Sequence, residues 1–189
     1  MSILKRHTID SAPEKSKALL QNSIDSFGWI PNQSAYMAES PALLAAYQQA
    51  HDLFIDSSLD EAEKAVVWIT CGVENNCTYT VQAHAFIALS KGVDARVVEA
   101  AAHDPDNLDD LLRALYNFTQ EVIHCGGRLK RQEIEAVLHA GFSKQNMLDV
   151  ILGVSQKHMS TILNSIAITE VDHRFKWEAF LGIKQTDEA

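Results

Sequence analysis

A cysteine, a threonine three residues later and a histidine four beyond that fall on one face of a helix: Cys77, Thr80 and His84, in the stretch VENNCTYTVQAH. A cysteine at the start of a helix is a candidate nucleophile, because unpaired backbone N–H groups and the helix dipole favour the thiolate. His84 is the matching candidate proton carrier. Two helical turns separate it from Cys77, roughly 10 Å along the axis. Direct Cys–His contact is therefore not expected, and a water or the Thr80 hydroxyl would have to bridge the two. The competing reading is a buried, inert cysteine beside a histidine satisfied by a backbone carbonyl, since free cysteine is among the most buried residue types.

The other chemistry-bearing residues are less well placed. Cys71 and Glu74 are neighbours at i, i+3, and Glu74 is a candidate for orienting a partner around the motif, or an ordinary helix-end carboxylate. Cys125 precedes Gly126-Gly127 at a helix C-terminus, where the dipole disfavours a thiolate. His51 and His158 lie on mixed helical faces and read as satisfied interior histidines. Three cysteines without a Cys-x-x-Cys pair exclude a zinc ribbon and a disulfide scaffold. Two Glu-x-x-His pairs, Glu121/His124 and Glu170/His173, invite a di-iron bundle. Glu121 and His124, however, point away from the apolar stripe of their helix, and Glu170 and His173 fall where a long helix ends.

The elements that must position these groups all read with a helical period. PEKSKALLQNSIDSF stops at Gly28, and GWIPN is a loop because Pro31 excludes Ile30 from the helical region. Ser40 caps and Pro41 opens the next helix. SLDEAEKAVVWITCGVE has an acidic first turn and is apolar on more than one face, which predicts a central helix. Asn75-Asn76 punctuates before a helix over about 77–91, closed by Gly92. DARVVEAAA, LDDLLRALYNFTQEVIHC and KRQEIEAVLHA follow. Ser143 caps a segment running to about Ile168, and DHRFKWEAFLG is a short terminal element. No alternating strand pattern survives, so the expected fold is all-α, one domain over residues 1–189.

Bulk properties bound the partners. A formal charge of −9 without a basic stripe argues against nucleic acid. No apolar run approaches the roughly 20 residues of a membrane span, and the first residues lack a signal peptide's apolar core. The expectation is a cytoplasmic protein with reduced thiols.

Taken together, the sequence resembles the alkylhydroperoxidase D and carboxymuconolactone decarboxylase superfamily, in its peroxidase-related, uncharacterised branch. That family's mark is Asn-x-Cys-x-Tyr-Cys-x3-His after an apolar helix, and Asn75, Cys77, Tyr79 and His84 match in register. The likeness runs through FGWIPN, SPALLAAY, GVDARVVEA, AGFSKQNMLDVILGVS and ILNSIAITEVD, over residues 24–180. It implies an all-α bundle assembling as dimers, trimers or hexamers. It also implies a hydroperoxide reductase in which two cysteines cycle through a disulfide while a glutamate and the histidine relay protons.

Two positions depart from that pattern. Thr80 stands where the second cysteine would be, and Ala65 where the relay glutamate would be; Glu61 and Glu63 are out of register. The two-cysteine cycle cannot run within this motif, and Cys71 is an imperfect substitute resolver. The first expectation is a one-cysteine hydroperoxide reductase that uses Cys77, His84 and Thr80 and an external thiol reductant, with Glu74, Asn75 and Tyr79 in support. The second is a redox sensor or oligomeric binding protein on the same scaffold. Cofactor-free decarboxylation of a lactone ranks last, because it needs cationic groups for the substrate carboxylates and the motif face offers only His84. None of these readings requires a cofactor or a metal.

Overall fold

Local sequence signals mark most of the helix ends. A computed structural model describes residues 3–176 of the chain. α1 (Glu14–Phe27) starts after Pro13 and stops at Gly28, whose φ of +81° is open to glycine. α2 (Asn32–Met37) is a short helix that the sequence periodicity did not predict. In α3 (Pro41–Ile55) the Ser40 side chain accepts from the Leu43 amide, and in α4 (Glu61–Glu74) Asp60 and Glu63 form a reciprocal capping box. α5 (Thr78–Ser90), α6 (Ala95–His103), α7 (Asp110–Cys125) and α8 (Arg131–Ala140) follow. α9 (Lys144–Ala167) opens with a Ser143 capping box. Single 3-10 turns lie at Pro105–Asn107 and His173–Phe175. The second is all that is seen of the expected terminal element, which otherwise lies outside the described residues. No strand occurs among the described residues.

α4 is the hub, as its two-sided apolar character predicts. Residues 64–72 are all buried, and the helix packs against α5, α6, α7 and α9. Val66, Val67, Trp68 and Ile69 meet Ala85, Val98, Leu112, Leu115, Val150 and Val154 in the main core. A smaller cluster joins α1, α2 and α3 to Leu163 of α9. A third, aromatic cluster gathers Cys77, Tyr79, Ala83 and Phe175 with Phe27, Trp29 and Phe86.

Two close approaches bring the helices together. A Cβ on Gly153 of α9 would lie 2.6 Å from the Phe54 ring, and one on Gly72 would lie 2.8 Å from both the backbone nitrogen and the Cγ2 of Val81. The Gly72 carbonyl also accepts from the Cys77 amide at 2.8 Å. The first turn of α5 therefore rests directly on the α4 backbone. Gly72→Ala is expected to lower the free energy of unfolding by about 1–3 kcal/mol, because backbone must shift to admit one methyl group. Urea melts measure this; an unchanged midpoint would show that the approach is not tight.

Candidate functional site

Cys77 is the N-cap residue of α5, reached through Asn76 in the left-handed conformation (φ +50°). Its thiol caps no backbone N–H. Its partners are side chains instead. Sγ lies 3.2 Å from Thr80 Oγ1, and the Asn164 amide of α9 donates to it at 3.7 Å. The residue is 8% exposed and lines two clefts. One of them is bordered by α9, where Thr161 Oγ1 and Asn164 Oδ1 are buried without a partner.

The other two cysteines are disfavoured as nucleophiles. Burial in the main core pushes the Cys71 thiol up to about 12. The Cys125 thiol donates to Glu121, and that carboxylate raises it as well. Cys71 also packs in a different cluster from Cys77.

Tyr79 anchors the first turn of α5. Its hydroxyl donates to Asp172 at 2.7 Å and accepts from the Gln33 amide. Asp172 also accepts from the Asn32 amide and the Trp29 indole, so one carboxylate ties α5 to α2 and to the stretch after α9. Burial and then Asp172 raise the Tyr79 phenol well above its ordinary value, which keeps it a donor.

Glu74 and Asn75 serve other contacts. Glu74 accepts from Gln120 and is paired with His124 of α7 at 2.5 Å, while the Asn75 amide donates to the Cys71 carbonyl. Glu61 pairs with Lys64 and Lys91, and Glu63 caps α4. Ala65 is buried. Among the described residues, no group of three or more His, Cys, Asp or Glu side chains gathers as metal ligands.

His84 has a partner that sequence reasoning missed. Lys157 of α9 is 1% exposed, and its ammonium donates to His84 Nε2 at 2.6 Å and to the Tyr47 hydroxyl at 3.1 Å. It sits 5.1 Å from the Tyr47 ring centre and 5.2 Å from that of Trp68. Among the described residues no carboxylate pairs with it. The one available signal is that Lys157 occupies an inward position of α9, in step with Val150, Val154 and Thr161.

Because an ammonium only donates, His84 Nε2 must accept and Nδ1 carries the proton. Burial first, then Lys157 and His51, drive His84 well below its ordinary value, so the ring is neutral. His51 stacks on Trp68 at 5.0 Å and is lowered to about 3 by burial, with the charges of Lys157 and Lys91 adding to the effect. His51, expected to be a satisfied interior histidine, is interior but has an unpartnered Nδ1, as does His84.

These groups line a cavity of about 290 Å³ between α1, α2, α3 and α5. Thr80 and His84 border it; Cys77 does not. The motif residues thus face different spaces. Cys77 opens onto clefts at the start of α5 and His84 onto the cavity, with Thr80 bonded to the sulfur and bordering the cavity.

Solved structures share this architecture. An uncharacterized peroxidase-related protein from Ralstonia eutropha JMP134, described as an alkylhydroperoxidase AhpD core, matches with a TM-score of 0.81 at 19% identity, over 93% of this chain and 96% of the other. The fold is alkylhydroperoxidase D-like. A peroxidase-related protein from Silicibacter sp. TM1040 matches with a TM-score of 0.76 at 16% identity, over 92% of this chain and 94% of the other. The debrominase Bmp8, in a cysteine-to-alanine variant bound to 2,3,4-tribromopyrrole, matches with a TM-score of 0.79 at 13% identity, over 97% of this chain and 98% of the other. No protein-family model matches the sequence, and no curated protein matches it in sequence.

The two enclosed histidines carry a pH signature. Unfolded, each binds a proton near pH 6.5; folded, His51 does so only at about 3, and His84 is likewise lowered well below its ordinary value. Their share of the stability is therefore complete above the unfolded value and is lost as pH falls through it. His51→Phe, which retains the stacked ring, is expected to flatten the acid limb of unfolding free energy against pH by up to about 1.4 kcal/mol per pH unit between roughly pH 6 and 4. Urea melts across that range measure it. An unchanged slope would show that His51 titrates normally in the folded chain.

Proposed function

We propose that the protein is a thiol-dependent, one-cysteine hydroperoxide reductase with Cys77 as its nucleophile. The observation that carries this reading is the environment of the sulfur, where the Thr80 hydroxyl at 3.2 Å and the Asn164 amide at 3.7 Å can both donate to a thiolate. Charge-assisted bonds of this kind stabilise the anion more than the neutral thiol. The position at the start of α5 adds the field of the helix N-terminus.

In the first step the thiolate attacks the terminal peroxide oxygen. The S–O bond forms, the O–O bond breaks, and the departing alkoxide takes a proton from water in the cleft to leave as the alcohol. Cys77 is then a sulfenic acid. No second cysteine joins it in the aromatic cluster, so an external thiol must attack the sulfenic sulfur, releasing water and forming a mixed disulfide. A second external thiol displaces the first and restores Cys77. The unpartnered Thr161 hydroxyl and Asn164 carbonyl lie where polar groups of the hydroperoxide would enter.

The neutral His84 ring is not placed to take the Cys77 proton, because its Nε2 lone pair is engaged by Lys157 and it borders a different cavity from the sulfur. Thr80 meets the sulfur by its hydrogen bond and borders the cavity, and Tyr79 lines both the cavity and one cleft of Cys77. Cytoplasmic location and a homo-oligomeric assembly remain part of this reading.

The test is consumption of an organic hydroperoxide with excess dithiol. Wild type is expected to turn over and Cys77→Ser to be inactive. Thr80→Val should lower kcat/KM by about tenfold, the worth of one hydrogen bond to a charged group at about 1.5 kcal/mol. Oxidation of Cys77 once without turnover would favour the redox-sensor reading. Release of bromide from 2,3,4-tribromopyrrole with no hydroperoxide consumption would replace peroxidase chemistry with dehalogenation.

A further inference from the structure

The cavity bordered by Thr80 and His84, which Cys77 does not line, has features that thiol chemistry does not use. Its wall includes Tyr47, His51 and His84, and Lys157 stands directly behind that wall. Burying an ammonium costs several kcal/mol unless an anion or strong acceptors compensate it. Lys157 has a neutral imidazole, a phenol oxygen and two aromatic faces, but no carboxylate among the described residues. The inner wall is therefore positive, while the exposed Asp52 places a carboxylate at the edge of the cavity.

The direction of the hydrogen bonds matters as much as the charge. Lys157 donates to the Tyr47 oxygen, which leaves the phenol proton to be donated onward. Lys157 also donates to His84 Nε2, which fixes the tautomer with its proton on Nδ1, a buried atom that has no acceptor. One buried cation thus polarises two donors on two residues of the cavity wall. His51 Nδ1 is a second buried, unpartnered polar atom in the same wall. Buried polar groups of this kind are normally satisfied, so two around one cavity, beside a phenol whose proton is free to be donated, point to a bound group that supplies acceptors.

The shape of the cavity narrows the class of ligand. Its volume of about 290 Å³ is at the small end for ligand sites. The polar wall includes flat side chains: Tyr47 and His51 stack at 20°, and Trp68, which does not line the cavity, stacks on His51 at 7°. Phe27, Ile87 and Phe175 supply apolar lining. We propose that this cavity is a binding site for a small planar organic anion, an aryl carboxylate in type, whose carboxylate accepts from the Tyr47 hydroxyl and His84 Nδ1–H while its ring lies against the aromatic wall. The site goes beyond the peroxidase reading and does not depend on it.

Titration calorimetry of the full chain with benzoate, against benzamide as the neutral isostere, tests it. Benzoate is expected to bind at one site per chain, with benzamide at least about tenfold weaker. Tyr47→Phe keeps the ring and removes only the hydroxyl, and should weaken benzoate about tenfold or more. Lys157→Met should do the same where it folds, and Tyr47→Phe decides the matter where it does not. Cys77→Ser should leave benzoate binding unchanged, which separates this site from the thiol site. No saturable benzoate binding, equal affinity for benzamide, or full affinity in Tyr47→Phe would each overturn the proposal.

Discussion

The absence of a side chain at Gly72 is the constraint on which the candidate site depends. It lets the first turn of α5 lie on the backbone of α4, with the Val81 nitrogen 2.8 Å from where a Cβ would be. The Gly72 carbonyl then takes the Cys77 amide, and the Asn76 left-handed turn completes the reversal between the helices. With α5 seated there, Thr80 and His84 are forced inward against α4 and α9 and Cys77 is left at the rim. The Tyr79–Asp172 bond holds the same turn from outside, so the N-terminus of α5 is gripped on both sides.

The second determinant is the sign of the charge next to His84. The resemblance to peroxidases implies a carboxylate that works with this histidine; here Ala65 leaves that position empty of charge and Lys157 approaches from another helix. A carboxylate would make the imidazole a better base. An ammonium makes it a worse one and fixes it as a neutral donor. The contacts of the Cys77 sulfur are accordingly with Thr80 and Asn164 and not with His84. His84 and Tyr47 become polarised donors in the cavity wall, and the motif residues serve two chemically different spaces.

Much of this was legible in the chain, for identifiable reasons. Helix ends could be read where local chemistry decides them, as at Ser40-Pro41, Gly28, Gly126 and Ser143. The hub role of α4 followed from apolar residues on more than one face. The pairing of Cys77 with Thr80 followed from helical spacing alone. α2 was missed because a helix this short is set by tertiary contact: its first amide is held by Asp172, 140 residues away in sequence. Lys157 was missed for a related reason. A lysine is ordinarily on the solvent side of an amphipathic helix, and nothing in the neighbourhood of α9 shows that Tyr47, Trp68 and His84 converge on it from three other elements. Glu74, considered as support for the motif, is instead drawn to Gln120 and His124 of α7, a contact that sequence spacing cannot reveal.

The central claim is that Cys77, and neither of the other two thiols, is the site of peroxide chemistry. Its most direct test is to expose the reduced protein to one equivalent of an organic hydroperoxide, trap sulfenic acid with a dimedone-type reagent, and locate the label by peptide mass spectrometry. Label on Cys77, with Cys71 and Cys125 still reduced, is the expected result. Label confined to Cys125, or thiols that are all still reduced after the hydroperoxide treatment, would contradict it.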